Sequence, residues 1–491
     1  MARVVRWFDS RLGLSHEMLR PVPQYAINPF YWLGALAVIA FVIQGITGAI
    51  MLLYYVPSPT QAYASTQYIF QSVTYGTFLE TVHLYTAYAM IMLAFMHMIR
   101  GYFVSVHKKP RELMWVVGML MGVVTLGFGF TGYLLPWTVV SYSATHVGIG
   151  MIDVLPPPVS SFLSFLVVGA GGDATVLLRF FDLHVVVLPA ALLVLLVVKM
   201  YMLETHGISE PVTGSEPLPE ERRKLIPIFP DVSIYLLELA ALFGAAMLLI
   251  SVVFPLTLPP EYSAAAASQY VAQPDWYFLW IYQVVKIAAF EANGPLGQYG
   301  LPMALSVISI VFVVLFLLPF IDRSEEKRIS RRPLYTTFGA IFVAEIVILA
   351  CWGLLTPGET IPDLQALVVL GGTALAVSIV SLMCFKLVFG GLGRIGGGVR
   401  VSPPSSRTAP VVTAGLFASV LAVGALSIGG LLDSVVGLFM DGASPALLAP
   451  FALSLLGLAL SVFGTIYLIY RLDFMTGEIR RHVRFLEVGS D

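Results

Sequence analysis

ETVHLYTAYAMIMLAFMHMIR, residues 80–100, carries two histidines, His83 and His97, 14 residues apart in one apolar run. In an α-helix that spacing is ~21 Å of rise and nearly four full turns, so both rings share a face at two depths. A bilayer core is ~30 Å thick, which puts one ring towards each side. A second stretch answers the first. RFFDLH, residues 179–184, opens a long apolar run that reaches Lys199, with His184 near its start. Two helices offering nitrogen ligands at two depths form a frame for two stacked haems. A lone intramembrane histidine is commonly satisfied by one neighbouring hydrogen bond. Ionisable groups in a membrane are costly, however, and mark function. Two on one face, answered by a third on another helix, favour haem ligation.

Glycines repeat the spacing. Gly34 and Gly48 are 14 residues apart in the first apolar run, and Gly118 and Gly132 are 14 apart in the third. A haem edge needs close backbone approach, which glycine permits. Small residues at a helix–helix contact would produce the same pattern.

The composition fits this frame. The chain has 491 residues, 58% of them hydrophobic and 11% charged, against roughly 25% charged in a soluble domain. An all-α polytopic membrane protein is expected, a transmembrane helix bundle with a four-helix di-haem core. About ten spans are predicted, near 32–54, 78–104, 115–135, 178–203, 233–254, 301–321, 335–356, 364–388, 411–432 and 446–470. All but three of the 27 Lys and Arg residues then fall on one side, the exceptions being Arg179, Lys199 and Lys286. The positive-inside rule makes both termini cytoplasmic, in a multi-pass protein of the cell membrane. The basic N-terminus has no short apolar segment with a cleavage site and reads as a retained cytoplasmic segment. Long outer loops are expected over 55–77, 136–177 and 255–300. A Gly/Pro-rich linker near 390–410 precedes the last two spans. The net charge of −2 gives no reason to expect a nucleic-acid partner. Cys351 and Cys384 are the two cysteines, with no CxxC and no CxxCH, so no thiolate metal site and no covalent haem attachment are expected.

The motifs together resemble cytochrome b, the quinone-oxidising membrane subunit of bc-type and b–f-type complexes. The resemblance rests on QGITG (44–48), His83 and His97 with Arg100-Gly101, KPREL (109–113), GYLLPW (132–137), RFFDLH (179–184), PDWY (274–277) and RRP (331–333). It covers about residues 28 to 356, and KPREL and PDWYF look closest to the b–f branch. It implies that His83 and His184 ligate an outer haem, and that His97 and a partner low on the fourth span ligate an inner one. Arg100 and Arg179 would contact the cofactor, Arg179 at a propionate. Pro274, Asp275, Trp276 and Tyr277, with Tyr133 and Pro136, would line an outer quinol site. The family usually has glutamate where Asp275 stands. A carboxylate suits quinol oxidation, because a base must accept a released proton. On its residues alone, Pro-Asp is equally a turn former.

Three positions depart from the family. The fourth haem ligand is normally His, but residue 198 is Val and residue 199 is Lys. Glu80 stands where the family generally carries Arg. Glu204 falls where many members have His or Arg at the inner quinone site, leaving His206 and Asp231 as polar candidates there; interfacial solvation would equally explain both. In an unbroken helix, 14 residues beyond His184 is Val198, which has no ligating atom. Pro189 can widen a turn, and one absorbed residue would bring Lys199 opposite His97. The alternatives are Lys199 extended to the headgroups and Met200 as a thioether ligand.

The resulting expectation is a di-haem cytochrome b of a respiratory complex. It oxidises quinol near the outer face and passes electrons to an inner quinone site in a proton-translocating Q-cycle. Its two noncovalent haems are of b type or a variant. A Rieske iron–sulfur protein must be a separate chain, alongside other complex subunits, and the assembly is expected to be a homodimer. Residues 1–210 would form the haem-carrying bundle and 211–356 the C-terminal region with the quinol loop. Residues 357–491 would add further spans. The rivals are a haem-b anchor for a quinone-linked dehydrogenase and, from another class, an ion-coupled transporter without haem.

Overall fold

A computed structural model describes residues 21–169, 172–210, 225–291, 293–327, 331–384, 409–440 and 445–474. The N-terminal segment, the last residues and nearly all of the predicted 390–410 linker lie outside it. Among the described residues, ten helices are long and apolar enough to cross a membrane. They are α1 (Leu33–Met51), α2 (Gly76–Phe103), α3 (Glu112–Leu134), α4 (Asp173–His206), α5 (Ser233–Val253), α6 (Gly300–Ile321), α7 (Pro333–Leu355), α8 (Asp363–Cys384), α9 (Ala409–Met440) and α10 (Pro445–Phe474). Large apolar side chains point outward, such as Val197 at 69% exposure and Leu237 at 70%, which suits a lipid solvent.

The helix ends follow local chemistry. Pro333 opens α7 at its first position, where a missing N–H costs nothing. Gly207, with φ +66°, closes α4, and its N–H bonds the Leu203 carbonyl. Helix α4 is not uniform. Leu183–Val187 forms a wide π turn, closed by the Leu188 N–H on the Leu183 carbonyl. Pro189 follows it and can donate no backbone bond of its own. A π turn takes up one residue more than an α turn.

Helices α1 to α4 meet around an apolar layer. Ala40, Met90 and Leu192 are buried there, with Met121, Val124 and Phe128 packed against them. Met90 lies midway between His83 and His97, so this layer separates the two ligand depths. A two-stranded antiparallel ribbon, β1 (Pro21–Pro23) with β2 (Leu225–Pro227), caps one end near Tyr25 and Ile27. The C-terminal helices join the same body. One core cluster combines Tyr102 and Trp115 with Leu315 and Ala340, and with Val377 of α8 and Ala459 and Ile466 of α10.

The three long connections are more structured than the expected loops. Ala62–Gln71, Val139–Asp153, Pro157–Leu163 and Leu279–Val285 are helices. Thr138 and Ser141 form a capping box that starts the second of these. Such helices are too short for a pattern search tuned to ~20-residue spans.

Candidate functional site

Four glycines face the four candidate ligands, one to one. A β-carbon built on Gly48 would lie 3.5 Å from His83 Cε1, and on Gly132 2.5 Å from His184 Cε1. At the other depth, one on Gly34 would lie 3.4 Å from His97 Cε1, and on Gly118 3.2 Å from Lys199 Nζ. The π turn explains how Lys199 reaches this position. Fifteen residues separate it from His184, and the wide turn absorbs one, leaving the 14-residue register shared by His83–His97 and Gly118–Gly132. Its neighbours Val198 and Met200 face outward, at 38% and 49% exposure, so the thioether alternative points away from the bundle.

At the first depth the imidazoles are oriented. His83 Nδ1 lies 2.8 Å from Thr47 Oγ1, and that hydroxyl donates its proton to the Ile43 carbonyl at 2.8 Å. A hydroxyl has one proton, so Thr47 accepts from Nδ1–H and Nε2 keeps a free lone pair. His184 repeats the arrangement: Nδ1 is 3.2 Å from Thr131 Oγ1, which donates to the Gly127 carbonyl at 2.7 Å. The two rings stand 6.4 Å apart between centroids. Two metal–nitrogen bonds of ~2 Å plus two ring radii span such a gap. At the second depth His97 Nδ1 is buried without a hydrogen-bond partner. The Arg100 guanidinium is buried 4.0 Å over the Tyr31 ring. Arg179 is half-buried against Gly169 and 5.6 Å from the Phe165 ring centroid. Glu80, half-buried one turn before His83, faces Tyr55.

The 274–277 loop folds onto α2 and α3. Asp275 is half-buried and accepts from two phenols: Tyr88 donates to Oδ1 at 2.8 Å and Tyr277 to Oδ2 at 3.3 Å. Burial pushes the Asp275 carboxyl above the usual range, and the two phenol bonds offset this only in part. The carboxylate in turn acts electrostatically on the Tyr133 phenol. Trp276 packs edge-on to Tyr88 and Phe95, and the Tyr277 hydroxyl would lie 2.7 Å from a β-carbon on Gly129. Gln273 Nε2 donates to the Gly353 carbonyl at 2.8 Å, tying the loop to α7. Pro136 follows the end of α3, and Pro274 leads into Asp275, both half-buried. His206 and Asp231 are exposed, and the structure does not gather them with the buried groups. The His206 carbonyl accepts from Arg111 Nη2 at 2.9 Å.

Two family sequence models match the chain, Cytochrome b/b6/petB over residues 19–207 and Cytochrome b(C-terminal)/b6/petD over residues 265–371. The cytochrome bc complex cytochrome b subunit of Chlorobaculum thiosulfatiphilum is 34% identical over 357 residues, covering 70% of this chain and 79% of that relative. The chain belongs to the cytochrome b family. Cytochrome b of Sulfolobus acidocaldarius is 32% identical over 395 residues, covering 75% of this chain and 69% of its own length. Cytochrome b6 of Heliobacterium modesticaldum is 40% identical over 192 residues, covering 39% of this chain and 90% of that relative. A solved chain from a hyperthermophilic respiratory Complex III superposes with a TM-score of 0.61 at 26% identity, over 78% of this chain and 98% of that one.

Cytochrome b proteins bind haem, and the residues here fit that group. Nε2 lone pairs left free on His83 and His184, and four glycines that leave room beside the four candidate ligands, are features that suit a flat macrocycle. Family membership sets aside a haem-free transporter. Several contributors escaped sequence reasoning. Thr47 and Thr131 each precede a cradle glycine, so the repeated Thr-Gly pair was a readable signal. Tyr88 and Gly129 carry no local signal, because their partners lie far along the chain.

Proposed function

We propose that this cytochrome b is the quinol-oxidising subunit of a bc-type respiratory complex working in a Q-cycle. Quinol binds beside Tyr133, Pro136 and Pro274, Asp275, Trp276 and Tyr277. The Asp275 carboxylate accepts a proton from the quinol hydroxyl, while Tyr277 and Trp276 shape the pocket. One electron leaves to a Rieske iron–sulfur protein on a separate chain. The other crosses to a quinone near the opposite face, where His206 and Asp231 are the polar candidates. When bound, two noncovalent haems supply one-electron carriers at two depths. His83 and His184 would hold one, His97 and Lys199 the other, with Arg100 and Arg179 as cationic partners. The apolar layer around Met90 keeps water out between them.

The protein sits in the cell membrane as a homodimer with other complex subunits, both termini on the cytoplasmic side. Residues 1–210 carry the haems, 211–356 complete the quinol site, and 357–491 add helices to the same body. The observation that supports this reading most is the pairing of four ligand atoms with four glycines at two depths. The half-buried carboxylate bonded to α2 favours quinol oxidation over a dehydrogenase anchor, which has no need of it. The test is quinol:acceptor reduction by Asp275→Asn. Turnover slower by ~10²-fold or more, with haem content intact, is expected for a lost general base. Full turnover at every pH would refute it.

A further inference from the structure

Asp275 is tied to a helix that its own motif does not include. Tyr88 lies on α2, five residues beyond His83 and 187 positions from Asp275. Aspartate has a single methylene, so a partner must reach out to it. Tyr88 does so, with Oη 2.8 Å from Oδ1. The Tyr88 ring is held by Tyr85 at 6.4 Å, Trp276 at 6.4 Å and Tyr277 at 6.3 Å between centroids. A phenol has one proton to donate, and here it is committed to the carboxylate.

We propose that Tyr88 is a positioning residue for quinol oxidation: it fixes the orientation of the Asp275 carboxylate and sets the pH at which that group accepts a proton. The proposal rests on the reading of Asp275 as the proton acceptor. The reason is the asymmetry of the bond. A phenol donor stabilises the carboxylate more than the carboxylic acid, so it favours the form able to take a proton. Burial acts in the opposite direction and prevails, and Tyr88 limits how far. The titratable groups facing Asp275 are Tyr88 from α2, Tyr133 from α3 and Tyr277 from its own loop. Helix α7 presents the carbonyls of Gly353 and Leu354, which Gln273 engages.

The experiment is the pH profile of quinol oxidation for the complete complex carrying Tyr88→Phe, Asp275→Asn or both. Phenylalanine keeps the ring contacts, and the haem spectrum checks assembly. The acid limb of Tyr88→Phe is expected to move up by about one pH unit or more, the worth of one hydrogen bond to a charged group. Turnover therefore falls most on the acid side, and Tyr88→Phe adds no shift when Asp275 is already Asn. An unmoved limb in Tyr88→Phe overturns the proposal and leaves the role of Asp275 standing. A limb that persists in Asp275→Asn overturns that role and the proposal with it. Should the Phe variant fail to assemble, 3-fluorotyrosine at position 88 serves instead. It is a stronger donor, so the limb is expected to move down; no movement overturns the proposal.

Discussion

Gly132→Ala is the most demanding single perturbation of the ligand frame. The added carbon would stand 2.5 Å from His184 Cε1, 3.0 Å from Nδ1 and 3.2 Å from Nε2. Non-bonded carbons settle at ~3.5–4.0 Å, so the ring must retreat by about 1 Å. It cannot do so freely, because Thr131 holds Nδ1 at 3.2 Å and Phe128 packs edge-on at 5.6 Å. Metal–ligand distances tolerate only ~0.2 Å, so a retreat of that size would uncouple Nε2 from the iron it is proposed to share with His83. Overpacking alone costs ~1–3 kcal/mol. Gly122, on the same helix, is the control, since a β-carbon there meets nothing within 4 Å. Alanine in that position removes glycine's conformational freedom and is expected to stabilise by ~0.5–1 kcal/mol. Haem per chain, measured as the pyridine haemochrome, and thermal unfolding in detergent read both variants. Gly132→Ala should lose the haem at His184 and unfold earlier, while Gly122→Ala does neither. Equal haem content and equal unfolding temperatures in the two would refute the cradle argument.

Other outcomes follow from the same geometry. Thr47→Val removes the acceptor for His83 Nδ1–H; a 10–100-fold weaker hold on haem is expected, measured by haem loss to apomyoglobin, and unchanged loss rates would count against tautomer control. Asp322 joins the two halves of the chain. It accepts from His107 at 2.9 Å, Lys108 at 3.2 Å and Arg332 at 2.5 Å. Burial pushes its carboxyl up, but these bonds outweigh burial and hold it below the usual range. Its contribution is therefore complete above the ordinary aspartate value of ~3.9 and drains away as pH falls below it. Asp322→Asn strands buried cations and is expected to cost ~3–5 kcal/mol, read as early unfolding at neutral pH. A wild-type unfolding temperature in that variant would deny the network its role. A reporter fused within 138–175 should be external and one after residue 491 cytoplasmic; the reverse in protease-protection assays would invert the membrane orientation.

Much of the fold was legible because lipid imposes a simple code. Apolar runs long enough to span ~30 Å announce the helices. The histidines and glycines share one 14-residue spacing, so the two ligand depths could be read from it, but not which glycine faces which ligand. Lys199 needed a break in that register, and Pro189 marked where to look. Other features were invisible for a physical reason. Tyr88 meets Asp275 across 187 residues, and His107 meets Asp322 across 215, and helical periodicity says nothing about which faces meet. The packing of α10 against Tyr102 and Trp115 was hidden likewise, since Ala459 and Ile466 read only as generic apolar residues. The short helices of the connections lacked a span-length pattern, although Thr138 and Ser141 held a readable cap.

The central claim is that one chain holds two haems on four named ligands. Haem stoichiometry of the purified protein, taken with that of Lys199→Ala, tests it most directly. The account predicts two haems per chain in the wild type, with Lys199→Ala altering the haem at His97 and sparing the one at His83 and His184. One haem or fewer in the wild type, or a Lys199→Ala spectrum identical to it, would contradict the account.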